Sequence, residues 1–362
     1  MIPVNKPYLP DLGKYQRYIE GIYDRAWLTN NGPMVQELKA RLEDYLGVKH
    51  LLPVANGTLA LQLAYKALNV SGSAITTPFT FVATASSLKW EGITPQFADI
   101  DPHSLNLCPD RAAGQIDSHT SAIVPVHVYG NACDVKGFEA IASENQLKII
   151  YDAAHAFGVN YQGQSILNYG DASTLSFHAT KVFHTVEGGA VIFKDADAYE
   201  RAFKMINFGI DTSNGKIVDC GTNAKMSEVH AAMGLTVLDK IDEVIDRRCQ
   251  LHRQYQANLK NVVELPGWRS GTNQNGAYMP IIFKSAPECT AVFTALRDQG
   301  IIVRRYFSPS LAQVEALGDN RHSTPIADDF ANRVLCLPLY YDLTSGELEQ
   351  VCNALKKALQ TL

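Results

Sequence analysis

Residues 50–68, "HLLPVANGTLALQLAYKAL", decide the fold. "HLLPV" is a short apolar run of strand length, stopped at "ANGT". From Thr58 the apolar residues recur at helical spacing through "TLALQLAYKAL". This is one strand–turn–helix unit, and the same unit repeats along the chain. "AITTP" reads as a strand stopped by Pro78, and "TFVATASSLKWEG" as a helix closed by Gly92. "TPQFADI" is a strand. "SAIVPVHVYG" is another, nearly all apolar, as expected of a strand buried on both faces. "VKGFEAIASENQ" is a helix and "LKIIYDAA" the next strand. "STLSF" and "AVIF" are two more strands, and "DADAYERAFKMINF" is a following helix. Such alternation over residues 1–235 predicts an α/β fold.

From Met226 a helical pattern continues through "SEVHAAMGLTVLDKIDEVIDRRCQLHRQYQANL", longer than an ordinary globular helix. It reads as a connector to a smaller α+β unit, residues 236–362. That unit has strands at "AYMPIIF" and "IIVRRYF", and helices at "APECTAVFTALRDQG" and "TSGELEQVCNALKKALQ".

The 362 residues are 46% hydrophobic and 19% charged, with a net charge of −5. This suits a well-cored globular protein and argues against a nucleic-acid partner held by a basic face. Seven cysteines, an odd number without Cys-x-x-Cys spacing, argue against a disulfide framework or a zinc site. No apolar run reaches membrane-spanning length, and the first residues lack the apolar core of a signal peptide. A cytoplasmic protein without a membrane partner or a metal is expected.

Three places have residue types suited to chemistry. In "ANGT", Gly57 lets the backbone approach an anion and Thr58 opens a helix N-terminus; an ordinary turn and cap fits the same residues. In "IIYDAAHAFG", residues 149–158, Asp152 ends an apolar strand at the edge where open parallel sheets bind ligands. A buried carboxylate there needs a cationic partner, although Asp152 would serve equally as a helix N-cap. His155 alone reads more simply as a satisfied core histidine. In "SFHATKVFHTVEGGAVIF", residues 176–193, Lys181 lies five residues beyond the strand-ending Ser176. A partly desolvated lysine is a nucleophile toward an aldehyde, whereas a solvated one is merely a loop residue. Together an anion cradle, a carboxylate and an amine match the needs of pyridoxal 5'-phosphate.

With these motifs, in this order, the chain resembles the sugar aminotransferases of the DegT/DnrJ/StrS type. The resemblance runs through "AWLTNNGPMVQELKARLEDYLGVKH", "VANGTLALQLAYKAL", "TPFTFVATASSLKWEG", "PVHVYGNACDV", "YDAAHAFG", "SFHATKVFHTVEGGA" and "GTNAKMSEVHAAMGL". It implies the fold type I architecture of the aspartate-aminotransferase superfamily. That is a large domain, residues 1–235, with a mostly parallel seven-stranded sheet flanked by helices, plus the small C-terminal domain.

The resemblance also implies roles for individual residues. Lys181 would bond to the aldehyde of pyridoxal 5'-phosphate and act as general base. Asp152 would face the ring nitrogen and His155 the ring hydroxyl. Gly57, Thr58 and Ser176 would cradle the phosphate, and Phe81 would stack on the ring. Asn223 would reach the phosphate of a second subunit, which makes a homodimer with shared active sites. The amino donor would be L-glutamate and the acceptor a nucleotide-linked ketosugar, with Thr29, Asn30, Asn31 and Tyr306 as sugar contacts. Tyr306 and the 29–31 loop read equally well as a strand-end aromatic and an ordinary turn.

The 176–189 motif and "RRYFSP" (304–309) look most like members that aminate C4 of dTDP-4-keto-6-deoxyglucose, giving dTDP-4-amino-4,6-dideoxy-D-glucose for a surface glycan such as O-antigen. Members acting at C3, forming galacto products or using UDP-linked ketosugars share the core motifs. A non-catalytic sensor on the same fold is the reading from another class.

Overall fold

The computed structural model describes residues 1–317 and 323–362. Seven strands form its main sheet: β1 (Leu51–Val54), β2 (Ser73–Thr76), β3 (Thr94–Phe97), β4 (Thr120–Val124), β5 (Lys148–Asp152), β6 (Ala172–Ser176) and β7 (Gly189–Phe193). Their spatial order is β1-β7-β6-β5-β4-β2-β3. Only β7 runs against its neighbours β1 and β6; β6, β5, β4, β2 and β3 pair in parallel. No helix crosses back between β6 and β7, so the chain returns antiparallel there.

The strands other than the edge strand β3 are largely buried on both faces, and their side chains alternate between two cores. Leu51, Ile75, Ile123, Ile149, Tyr151, Leu175 and Ile192 join one cluster with Leu38, Leu42 and Leu235. Leu52, Ala74, Val124, Ile150, Val191 and Phe193 join the other with Leu63, Tyr65 and Leu88. This period of two explains why the strands read as continuous apolar runs.

Some boundaries differ from the sequence reading. "SAIVPVHVYG" stops as a strand at Val124. Pro125 has no N–H to offer, and its carbonyl takes the Asp152 N–H at 2.9 Å. Pairing resumes only at the single Val126–Asp152 bridge. The long helical run is two helices, Glu228–Leu238 and Ile241–Leu259, broken at Asp239–Lys240. The first packs Ala231, Leu235 and Val237 into the sheet's core. The second turns Leu251, Tyr255 and Leu259 into a separate C-terminal core. The Asp239 carboxylate at the break is held by Lys14 and Arg41.

The C-terminal core is built on strands β8 (Pro280–Ile282) and β9 (Val334–Cys336), paired antiparallel, with helices Ala286–Asp298 and Ser345–Gln360. "IIVRRYF" is not a regular strand; it makes only single bridges, Ile301 with Ile2 and Arg304 with Cys336. Its partners are a lone N-terminal residue and a strand already paired on its other edge. Helices Leu12–Arg25, Pro33–Leu46 and Pro325–Arg333 were not legible beforehand.

Candidate active site

The carboxyl ends of β5 and β6 and the segments that follow β1, β2 and β4 border a cavity of about 340 Å³. Gly57, Thr58, Phe81, Asp152, His155, Ser176, Lys181 and Tyr306 all line it. Gly57, Thr58, Phe81, Asp152, His155, Ser176 and Lys181 meet because each follows, or ends, a strand of one sheet, and Tyr306 reaches them from the C-terminal half.

One end of the cavity is suited to an anion. Asn56 caps the helix Gly57–Ala67: its side chain accepts from the Leu59 N–H at 2.9 Å, and its carbonyl accepts from the Ala60 N–H at 3.2 Å. The N–H groups of Gly57 and Thr58 have no partner within the helix, and both residues line the cavity together with Ser176. Two glycines permit this crowding. A Cβ on Gly57 would lie 2.9 Å from the Ser176 Cβ, and one on Gly189 would lie 2.6 Å from the Asn56 carbonyl carbon.

The buried end has a carboxylate. Asp152 accepts from the Thr84 hydroxyl through Oδ2 at 2.8 Å and from the Ala154 N–H through Oδ1 at 3.1 Å. Burial raises its pKa from the ordinary carboxylate value, and the Thr84 and Ala154 hydrogen bonds and the Lys181 charge oppose that rise. Each oxygen has a lone pair left for a further donor. Burial lowers the Lys181 ammonium to about 8, and the Asp152 charge partly offsets it.

His155 is buried, and its Nδ1 accepts from the Tyr129 N–H at 3.2 Å. Burial, helped by the Lys181 charge, holds its pKa well below the usual histidine value. A neutral ring accepting at Nδ1 carries its proton on Nε2, where it remains a donor.

Aromatic rings form the walls. Phe81 is 58% exposed at the opening, which leaves its ring available to a ligand. Tyr278 meets His155 edge-on at 4.7 Å and Tyr306 at 5.1 Å, while Phe307 stacks parallel to His155 at 5.8 Å.

Not every expected residue is here. Thr29, Asn30 and Asn31 do not line the cavity; Asn30 and Asn31 occupy left-handed turn conformations before the helix Pro33–Leu46. Asn223 is exposed, and its backbone bridges to Asn207. Conversely, Thr84, Tyr278, Arg304 and Phe307 were missed as site residues. Thr84 lies inside an ordinary helical pattern, and the other three come from the C-terminal half, whose approach to the sheet has no local signature. Glu187 also lines the cavity, and the acidic residue before a double glycine was its only signal.

The model of the DegT/DnrJ/EryC1/StrS aminotransferase family matches residues 13–356. The chain belongs to this family. The aminotransferase is 41% identical over 363 residues to a dTDP-4-amino-4,6-dideoxy-D-glucose transaminase of Shigella dysenteriae, with 98% of each chain covered. It is 29% identical over 359 residues to a GDP-perosamine synthase of Escherichia coli O157:H7, again with 98% of each covered. Among solved structures, that of DesI in the presence of its TDP-sugar product is 36% identical, with a TM-score of 0.95, covering 99% of this chain and 93% of that one.

Membership makes this a pyridoxal-phosphate-dependent aminotransferase, and the cavity's donor set fits the cofactor. It has a glycine-built cradle for a phosphate, an acceptor for a ring N–H and an amine for an aldehyde. Among the described residues no helix is long and apolar enough to cross a membrane.

Proposed function

We propose that this aminotransferase moves an amino group from L-glutamate to C4 of dTDP-4-keto-6-deoxy-D-glucose, giving dTDP-4-amino-4,6-dideoxy-D-glucose and 2-oxoglutarate. The observation that carries the chemistry is Lys181 and Asp152 lining one cavity, each within the other's electrostatic field. The substrate rests on the full-length similarity to the Shigella transaminase.

The chain's own residues divide the work. The N–H groups of Gly57 and Thr58, with the Thr58 and Ser176 hydroxyls, would hold the phosphate. Phe81 would stack on the ring, and His155 would donate from Nε2 toward the ring hydroxyl. Asp152 would accept the ring N–H. When bound, the cofactor supplies an electron sink conjugated to the substrate nitrogen. Lys181, the amine that would hold the cofactor's aldehyde, would take the proton from the donor's Cα. An amine with a pKa near 8 is partly neutral at physiological pH, as that step needs.

The working unit is proposed to be a homodimer with Asn223 serving the partner's site. Large apolar side chains stand exposed at Trp27–Leu28, at Phe81–Val82 beside the cavity, and at Phe208 and Ile217–Val218. A second copy would cover them.

The assay that tests this reading supplies glutamate with a panel of dTDP-, UDP- and GDP-linked 4-ketosugars and a dTDP-3-ketosugar. Turnover with dTDP-4-keto-6-deoxyglucose is expected, with the amine at C4 in the gluco configuration. The second reading, favoured by the perosamine synthase similarity, is a different ketosugar nucleotide; turnover of that sugar alone would establish it. A sensor would turn over none of them.

A further inference from the structure

The carboxylate of Asp152 is not held by the strand alone. Thr84, buried in the first turn of the helix Ala83–Trp90, donates its hydroxyl to Oδ2 at 2.8 Å. An ionised carboxylate only accepts, so the Thr84 proton must point at Asp152. The 3.0 Å contact between the hydroxyls of Thr84 and Thr80 then has one direction, with Thr80 donating to Thr84. Both hydroxyls are buried. The Ala154 N–H fixes the other oxygen, Oδ1.

We propose that Thr84 is a positioning residue for catalysis: backed by Thr80, it fixes the plane of the Asp152 carboxylate and keeps it ionised toward the cofactor's ring nitrogen. The proposal rests on the assignment of Asp152 to that nitrogen. Two donors, one on each oxygen, leave one orientation for the remaining lone pairs. A hydroxyl donating to a carboxylate gains strength where water is excluded. Thr80, in the bend before the helix, reaches Thr84 in its first turn through their hydroxyls, which completes the chain of donors.

The surroundings leave this contribution readable. Lys181, from the loop after β6, is the cation whose charge reaches Asp152. Tyr65, Cys133 and Tyr278 lie within its field, but burial pushes all three up and keeps them neutral. His155 is likewise neutral. Near neutral pH, the charge on Asp152 is therefore supported by Lys181 and by the hydrogen-bond donors alone.

Three variants test the proposal: Thr84→Val, which keeps the shape, Thr84→Ser, which keeps the hydroxyl, and Asp152→Asn as the reference. In cofactor-free protein, the Asp152 carboxyl band is followed by infrared difference spectroscopy against Asp152→Asn. In protein loaded with pyridoxal 5'-phosphate, the cofactor's absorbance is followed against pH. Thr84→Val is expected to raise the Asp152 midpoint by about one to two pH units and to move the cofactor's titration toward that of Asp152→Asn. Thr84→Ser should titrate like the parent. If Asp152→Asn alters the cofactor titration while Thr84→Val matches the parent in both measurements, the proposal is wrong and the Asp152 assignment stands. If Asp152→Asn leaves the cofactor titration unchanged, the assignment fails and the proposal falls with it.

Discussion

At Lys181 two opposing effects set the affinity for a proton. Desolvation penalises the ammonium, and the nearby Asp152 carboxylate favours it; desolvation wins, leaving a pKa of about 8. The neutral amine therefore grows as pH rises through about 8, well below the range of an exposed lysine. In cofactor-free protein, the rate of combination with pyridoxal 5'-phosphate should rise with pH and level off above that value, as stopped-flow absorbance will report. Lys181→Ala is expected to lower transamination by roughly 10²–10⁴-fold or more, the scale of a lost general base. Asp152→Asn should cost about 10²–10³-fold in kcat, the scale of one lost preorganised electrostatic contact. Steady-state assays check both. Lys181 and Asp152 were legible in the sequence because a strand end and a double glycine flank them. Thr84 was not: a hydroxyl in the first turn of a helix has the same spacing whether it serves a carboxylate or a core.

Between elements, the cavity depends on close approach. The helix Gly57–Ala67, the end of β6 and the start of β7 are packed so tightly that neither Gly57 nor Gly189 has room for a methyl group. Gly189→Ala would force the Asn56–Gly57 turn away from β7. Overpacking of this kind costs about 1–3 kcal/mol, and the cofactor's phosphate should bind more weakly. Denaturant melts and fluorescence titration with pyridoxal 5'-phosphate measure the two effects. A second inter-element contact is Glu228, buried, whose carboxylate accepts from the N–H groups of Met34 and Val35 at 2.8 and 3.1 Å. It caps the helix Pro33–Leu46 from 190 residues away, which no local pattern could announce. The central strands were readable because burial on both faces makes most of their residues apolar. The break at Asp239–Lys240 was not, because both halves keep helical periodicity.

For the whole molecule, the proposed division into residues 1–235 and 236–362 is crossed by the N-terminus. Ile2 donates to the Gly300 carbonyl and accepts from the Ile302 N–H, both at 2.9 Å, and packs in the C-terminal core. The cavity is crossed too, since Tyr278, Arg304, Tyr306 and Phe307 wall a site whose other residues end strands of the sheet. The proposed dimer makes a prediction at this scale. If Asn223 serves the partner's site, unfolding and refolding Lys181→Ala with Asn223→Ala together should restore activity, because each mixed dimer regains one site with both residues intact. No recovery beyond the separate variants would place Asn223 outside the partner's site. The central claim, that Lys181 is the residue bonded to the cofactor, has a more direct measurement. Borohydride reduction of the protein loaded with pyridoxal 5'-phosphate fixes the cofactor to the lysine it occupies, and peptide mass mapping identifies that residue. The label should fall on the peptide containing Lys181; a label on any other lysine, with Lys181 unmodified, would contradict the account.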